Sequence, residues 1–406
     1  MSLSQYSIYC ERAAASLVGG VNSPLRANKA ADAMPVFGQS GSGSQLTDSD
    51  GNTYVDCIMA YGPLLLGHAH PAIVAAIQKQ SQLGTVFGTC SALEADFAHQ
   101  IQSCYPSMEK IRLVNSGAEA TLNAIRLAKH ITGRSKVIHF RECYHGHIAS
   151  ESQPDRILCS FNDSTQFEAL MHTHRASVAA VILEPVCGNL GVIAPEPGFL
   201  ESIRAQTQAA GTLLIFDEVM TGFRTSVGGA QAYYTILPDL TCLAKVVGGG
   251  LPCAALGGRS DLMMHMAPAG PLYQAGTFNG NPLCMAVGIA AIQTIKQTQA
   301  SEAAAQFASG LAIDMRAAIA QYEVPLSIAQ VGSMLSVFFS SDVPRNAAQV
   351  QATDHARFPA YYRTMKANGV LIPPSPFEAY FVSSVHTPAD HAQIMQAFRA
   401  YLADYA

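Results

Sequence analysis

The sequence predicts an α/β protein with a large domain, built on a mostly parallel sheet covered by helices on both faces, and a smaller α+β domain. Three observations support this fold class. Short apolar runs alternate with helix-length segments through the middle of the chain. The chain has 406 residues, which is long for one compact domain and sufficient for two. Hydrophobic residues make up 49% of it and charged residues only 13%, so a large core can be buried.

The apolar runs follow one another between residues 53 and 291, which we assign to the large domain. A continuous apolar run is typical of a strand buried on both faces of a parallel sheet. The runs are KIRLV (110–114), KVIHF (136–140), AAVILEP (179–185), LLIFDEV (213–219) and LPCAALGG (251–258). Between the first two runs, the segment AEATLNAIRLAKHIT (118–132) has the periodicity of an amphipathic helix.

Residues 292–406 have a different pattern, in which helical stretches flank short strand-like runs. The helical stretches are 302–322 and 391–406, and the strand-like runs are MLSVFFS (334–340) and AYFVSSV (379–385). Helices and strands that are grouped in this way predict a separate, smaller α+β domain. We expect residues 1–52 to join this small domain.

Composition narrows the class of partner. A net charge of −5 and an isoelectric point near 6.2, with no basic tract, argue against nucleic acid or an anionic membrane surface. No apolar run reaches the roughly 18 residues of a membrane-spanning helix, and the N-terminus lacks a secretory signal pattern. The ten cysteines are dispersed and form no CxxC pair, which indicates free thiols in a reducing cytoplasm. Small metabolites are the expected partners.

Two histidine pairs, His68/His70 and His145/His147, have the only spacings that resemble metal ligands. Neither pair has a cysteine or carboxylate nearby in the sequence to complete a ligand set. We therefore predict no metal site.

Residues that carry chemistry follow the predicted strands, where ligands bind in doubly wound sheets. Asn115-Ser116-Gly117-Ala118-Glu119 comes directly after KIRLV and opens a helix, so its free N–H groups and helix dipole can bind an anion. Gly117 would let the backbone approach a phosphate. The alternative is an ordinary helix N-cap by Ser116.

Asp217 and Lys245 are the two charged residues that stand out at the ends of apolar runs. A carboxylate at the end of a buried strand is costly unless it meets a cation, although Asp217 could also cap the next helix. Lys245 is flanked by aliphatic residues and followed by three glycines. Desolvation lowers the pKa of such a lysine, and the neutral amine can attack an aldehyde. The alternative is a surface lysine whose aliphatic stem alone is buried.

Two further residues complete the candidate site. Tyr144 lies in CYHGH, shortly after KVIHF, where its ring can stack on a flat cofactor. Thr277 lies in the glycine-rich GTFNGNP and offers a small hydroxyl to a phosphate oxygen. Each signal is weak alone, but all of them occur in the chain order that one site requires.

Taken together, these motifs resemble the class III aminotransferases, a family of fold-type I pyridoxal-phosphate enzymes. The resemblance is carried by NSGAEA, CYHGH, EPVCGN, FDEVMTGFR, PDLTCLAK and GTFNGNPL, and it extends over nearly the whole chain. Within this family, VGGVNSPLRA, YQAGT and PSPFEAYFVSSVHT are most similar to the glutamate-1-semialdehyde aminomutase branch. The resemblance implies pyridoxal 5′-phosphate as cofactor and a homodimer with shared active sites.

By the same resemblance, Lys245 would hold the cofactor as a Schiff base and move protons, and Asp217 would pair with the ring nitrogen. Asn189 would bond the ring hydroxyl, while Tyr144 and Val219 would pack on the two ring faces. The residues expected at the phosphate are Ser116, Gly117, the neighbouring Ala118 and, from a second subunit, Thr277. The residues expected to contact substrate are Ser23, Arg26 as a carboxylate clamp, Tyr61 and Glu378.

The chain departs from the aminomutase branch in three places. The segment between CYHGH and VILEP is shorter by roughly twenty residues, and long loops of this kind are usually functional lids. Tyr61 and Ala118 replace a tryptophan and a threonine of that branch. Because an aminomutase must retain its intermediate, these differences favour an aminotransferase that exchanges an amino group between two substrates in two half-reactions. The alternatives are the aminomutase itself, making 5-aminolevulinate for tetrapyrrole synthesis, and a non-catalytic cofactor-binding relative.

Overall fold

The structure, a computed structural model, describes residues 5–147 and 155–405. The strands are β1 (Gly38–Ser42), β2 (Gln45–Asp48), β3 (Thr53–Asp56), β4 (Lys110–Val114), β5 (Lys136–Phe140), β6 (Arg156–Cys159), β7 (Val178–Leu183), β8 (Leu213–Asp217), β9 (Leu240–Leu243), β10 (Ala254–Gly258), β11 (Ser327–Val331), β12 (Met334–Phe338), β13 (Val370–Leu371) and β14 (Tyr380–Phe381).

The helices alternate with the strands along much of the chain. They are α1 (Gln5–Ser16), α2 (Pro71–Ser81), α3 (Ala92–Cys104), α4 (Gly117–Thr132), α5 (Ser164–His174), α6 (Phe199–Ala210), α7 (Gly229–Tyr233), α8 (Ser260–Met263), α9 (Pro282–Thr298), α10 (Ala300–Tyr322), α11 (Ala347–Gln351), α12 (Phe358–Ala367) and α13 (Pro388–Ala403). Across the described ranges, none of these helices has the length and apolar character needed to cross a membrane.

A seven-stranded sheet forms the centre of the molecule, in the order β4-β10-β9-β8-β7-β5-β6. All its strands run in the same direction except β10, which is antiparallel to both of its neighbours. Every residue of β7, β8 and β9 is buried, as continuous apolar runs require. The predicted fold class is therefore confirmed.

Helix α4 shows how the local sequence sets the position of a helix against this sheet. Ser116 caps its first turn through a reciprocal capping box with Glu119, and Gly133 ends it in the left-handed region at φ 65°. Its apolar face packs on the sheet in one buried cluster with strands β7 to β10. The N-terminus of α4 is thereby fixed at the edge of the sheet where β4 ends.

Two smaller sheets lie outside the large one. One has the order β1-β2-β3-β13, in which β13 is parallel to β3, and the other is the antiparallel sheet β11-β12-β14. The first sheet joins the N-terminal segment to the C-terminal part of the chain, and β3 belongs to it. We propose that the small domain takes in β3 in addition to residues 1–52 and 292–406.

Strands β4, β5, β7, β8 and β9 all end on the same side of the large sheet, which we call its C-terminal edge. Because these strands are parallel, the residues that follow them meet there. Asp217 is the last residue of β8, Glu184 follows β7 directly, and Lys245 follows β9 by two residues. Ser116 and Tyr144 follow β4 and β5.

Candidate active site

A cavity of about 630 Å³ opens at this edge of the sheet. It brings together all but one of the residues that the sequence analysis selected. Those that line it are Ser23, Arg26, Tyr61, Ser116, Gly117, Ala118, Tyr144, Asn189, Asp217, Val219, Lys245 and Glu378. Thr277 is exposed and is not among the lining residues of its own chain's cavity.

Asp217 lies on the cavity wall with only 2% of its surface exposed. Its Oδ2 accepts a hydrogen bond of 2.7 Å from His145 Nδ1, and its Oδ1 accepts one of 3.1 Å from the Val219 amide. Two fixed donors hold the carboxylate in one orientation. Asp217 therefore presents a fixed, buried carboxylate to the cavity, and a buried carboxylate favours a nearby cation.

Lys245 begins a 3-10 turn directly after β9, with its backbone in the left-handed region at φ 54°. Few residues other than glycine adopt this conformation, and such strain is concentrated at functional sites. Desolvation lowers the pKa of the Lys245 ammonium; Glu378 and Glu184 oppose this shift, and the Arg224 cation adds to it. The amine is therefore more readily available as a nucleophile than that of an exposed lysine.

The N-terminus of α4 forms part of the cavity lining. Glu119 Oε2 accepts hydrogen bonds from the Asn115 and Ser116 amides, while Ser116 Oγ accepts one from the Glu119 amide. Ser116 is therefore the N-cap of α4. The backbone amides of Gly117 and Ala118 are those that remain for a ligand. A Cβ built on Gly117 would lie 2.8 Å from Val219 Cγ2, so glycine permits this close approach.

Glu184 joins the two loops that carry Tyr144 and Asn189. Its Oε1 accepts from the Tyr144 amide at 2.7 Å and from Asn189 Nδ2 at 2.8 Å, and its Oε2 accepts from the Gly188 amide at 2.9 Å. Desolvation raises the pKa of Glu184 to about 7, with a further contribution from the neighbouring Asp217 carboxylate. The Tyr144 ring itself is 56% exposed and free to pack on a ligand.

The cavity lining also includes the residues expected to meet substrate. Ser23 precedes the 3-10 turn Pro24–Ala27 and Arg26 lies in it, with the Arg26 side chain exposed. Desolvation raises the pKa of Glu378 to about 7, while Lys245 lowers it and Glu184 raises it. Desolvation and Glu378 raise the pKa of Tyr61 to about 12, which keeps its hydroxyl protonated. The lining therefore presents a cation, a titrating carboxyl and a phenol.

Three residues of this region were not selected from the sequence. The sequence indicates His145 only as half of a metal-like pair, whereas its Nδ1 contacts Asp217 in the structure. Within the described residues, no cluster of His, Cys, Asp or Glu side chains is arranged to hold a metal ion. Glu184 follows β7 directly. The search for charged residues at the ends of apolar runs, which selected Asp217, could also have found it. Arg224 is the last residue of the FDEVMTGFR motif, but no local pattern indicates that its side chain is buried near Lys245.

Known proteins resemble this chain over most of its length. The aminotransferase class-III family matches residues 26–152 and 150–400. The glutamate-1-semialdehyde 2,1-aminomutase of Desulfitobacterium hafniense (strain DSM 10664 / DCB-2) is 43% identical over 401 residues, covering 93% of each chain. That of Thermomicrobium roseum is 43% identical over 410 residues, covering 96% of this chain and 95% of the relative.

Solved structures agree with these matches. A β-phenylalanine aminotransferase from Variovorax paradoxus superimposes with a TM-score of 0.92 at 30% identity, covering 99% of this chain and 94% of that one. These similarities extend over nearly the whole chain and agree with the family that the sequence motifs predicted. The chain belongs to the class III aminotransferase family.

Proposed function

We propose that this protein is a pyridoxal 5′-phosphate-dependent aminotransferase that moves an amino group between a carboxylate-bearing amine and a keto or aldehyde acceptor. The observation that carries the proposal is the cavity in which Lys245 and Asp217, at the ends of adjacent strands, face the N-terminus of α4. The cavity fits this cofactor: Asp217 suits the cationic ring nitrogen, the Gly117 and Ala118 amides suit the phosphate, and Lys245 supplies the amine. Tyr144 and Val219 suit the two faces of the ring.

Bound pyridoxal 5′-phosphate supplies an aldehyde for exchange of amino groups and a cationic ring that withdraws electrons. The side chains of the cavity supply the proton transfer and the substrate binding. Lys245 Nζ takes a proton from the substrate carbon and returns it, and its lowered pKa suits it to this base role. Asp217, held by His145, would pair with the ring nitrogen and favour its protonated form. Arg26 binds the substrate carboxylate, and Ser23 and Tyr61 line the same cavity.

The exchange by two half-reactions is supported by the small amount of chain available to cover the cavity. Residues 148–154, where the shortened lid begins, lie outside the described residues. The chain that follows them is used in β6, at the edge of the large sheet, and in α5. The short length of the connection between His147 and β6 supports an exchange in which the first product leaves before the second substrate enters.

The second candidate is a glutamate-1-semialdehyde 2,1-aminomutase. The names of the relatives favour it, and so does the position of Glu378, whose carboxyl lies close enough to Lys245 for the two to perturb each other's pKa. An aminomutase returns the amino group to the same molecule, so it needs no second substrate. The two candidates therefore differ in a measurable way.

Incubation of the cofactor-loaded protein with one amino donor tests the choice. In an aminotransferase, the yellow absorbance of the bound cofactor should disappear in an amount equal to the enzyme present. The reaction should then stop until a keto acid is added. Sustained conversion of glutamate-1-semialdehyde to 5-aminolevulinate without a donor, at about 1 per second or faster, would refute the aminotransferase in favour of the aminomutase. Lys245→Ala is the control, because it should retain cofactor through the phosphate contacts and lose turnover by several orders of magnitude. A variant with undiminished turnover would contradict the role of Lys245.

A homodimer with shared active sites is the proposed assembly. Thr277 is absent from its own cavity, and the chain around it is apolar and exposed, with Tyr273 at 73% and Phe278 at 58%. Such a patch is typical of an interface. If Thr277 serves the partner's cofactor, Lys245→Ala and Thr277→Asp subunits, each inactive alone, should regain activity when refolded together. Failure to complement, or a fully active monomer, would refute this arrangement.

The cysteines support a reducing compartment, and we propose the cytoplasm. The ten cysteines are dispersed along the chain and form no CxxC pair, which is the usage expected of a protein that is kept reduced. Cell fractionation with an antibody tests the proposal, and recovery of the protein outside the cytoplasm would overturn it.

A further inference from the structure

Arg224 is a fully buried arginine behind the cavity, with 0% of its surface exposed. All of its hydrogen bonds go to neutral acceptors. Its Nε donates to the Gly62 carbonyl at 2.7 Å, and its Nη1 donates to Ser333 Oγ at 3.0 Å and to the Val382 carbonyl at 2.9 Å. Its Nη2 is buried without a partner, and no carboxylate in the described part of the chain forms an ion pair with it.

A buried cation without an anion is costly, because desolvation disfavours the charged form. Burial lowers the pKa of Arg224 to about 9, so the guanidinium still carries its charge at neutral pH. The three neutral acceptors fix its position and leave its charge uncompensated. The interior behind the cavity therefore contains a fixed positive charge.

This charge lies close to Lys245. The Arg224 guanidinium carbon is 4.9 Å from the centre of the Phe381 ring, and Lys245 Nζ is 5.7 Å from the same centre. The two side chains also flank Gly62, since a Cβ built there would lie 3.1 Å from Lys245 Cδ and 3.7 Å from Arg224 Nε. The two side chains thus share one aromatic ring, and no acidic side chain among residues 5–147 and 155–405 pairs with the arginine.

We propose that Arg224 is a positioning residue that acts on Lys245 by charge, disfavouring a second positive charge on the lysine nitrogen. The inference rests on the proposed function, in which this nitrogen must accept a proton from the substrate. The charged groups that face Lys245 are Glu378, Glu184 and Asp217 on the cavity side and Arg224 behind it. The three carboxyl groups favour the protonated nitrogen, and Arg224 opposes them.

The test is a pH titration of the absorbance of the cofactor-loaded protein, which reports protonation of the lysine nitrogen without turnover. Arg224→Met should raise the midpoint by about one pH unit, as expected for the loss of a unit charge within roughly 10 Å in a protein interior. Arg224→Lys retains a charge and should stay nearer to the wild-type midpoint. Coincident midpoints for wild type and Arg224→Met would overturn the proposal.

Because Arg224 variants can fail to fold, a second pair of variants leaves the arginine in place. Ser333→Asp puts a carboxylate next to Nη1 and should raise the midpoint, whereas the uncharged Ser333→Asn should not. Equal midpoints in these two variants would also overturn the proposal. A loaded wild type in which no cofactor is attached to Lys245, tested by borohydride reduction and peptide mass spectrometry, would instead refute the proposed function itself.

Discussion

Replacement of His145 by leucine removes the donor that contacts Asp217 Oδ2 at 2.7 Å and leaves the Val219 amide at 3.1 Å as the remaining donor to this carboxylate. A hydrogen bond to a charged group contributes about 1.5–3 kcal/mol. Asp217 and His145 are both almost fully buried, and leucine offers no donor in place of the imidazole. We therefore expect the unfolding free energy of the apoprotein to fall by about 1.5–3 kcal/mol.

Loading with pyridoxal 5′-phosphate should reduce this loss, because the ring nitrogen provides Asp217 with a new cationic partner. The assay is urea denaturation of apo and loaded protein at one protein concentration, since the stability of an oligomer depends on concentration. His145→Asn is the matched control, because its amide can still donate to Asp217. An apoprotein loss below about 0.5 kcal/mol, which is typical of a surface substitution, would refute the argument. A loss that cofactor does not reduce would contradict the pairing of Asp217 with the ring nitrogen.

Three further predictions concern other parts of the structure. Gly222→Ala should destabilise the protein by about 1–3 kcal/mol, because the added Cβ would lie 2.7 Å from the Glu218 carbonyl oxygen. Gly310→Ala in α10 should instead stabilise the protein by about 0.5–1 kcal/mol, because the added Cβ would meet nothing within 4 Å. A thermal unfolding experiment in which Gly310→Ala is the less stable of the two variants would refute this. Because the pKa of Glu184 rises from 4.5 to about 7 on folding, the unfolded state loses this proton at lower pH. The unfolding free energy of the wild type should therefore fall as the pH rises from about 4.5 to about 7, by at most about 1.4 kcal/mol per pH unit from Glu184. An unchanged pH dependence in Glu184→Gln would count against this prediction. Arg26→Gln should raise KM for a carboxylate-bearing donor by about tenfold or more, with little change for a donor without a carboxylate.

The sequence alone determined the fold class and the residues at the strand ends. Buried parallel strands require continuous apolar runs, so β7 and β8 can be recognised without any knowledge of their neighbours. Polar residues directly after such runs must meet at one edge of the sheet, which is why Asp217 and Lys245 could be assigned to one site before the structure was considered. The glycine-containing turn that opens α4 is likewise a local signal.

Only the tertiary structure decided the contacts between segments that are distant in the chain. The bond between His145 and Asp217 joins residues 72 positions apart, and Arg224 contacts Gly62, Ser333 and Val382 across still longer separations. No local pattern encodes such contacts, because they depend on how the three sheets pack together. The same is true of Thr277, whose sequence motif suggests a phosphate contact but whose position, outside its own cavity, is set by the packing of the chain. Local sequence determines which side chains lie at the C-terminal edge of the large sheet. Long-range packing determines which charged groups and hydrogen-bond donors surround those side chains.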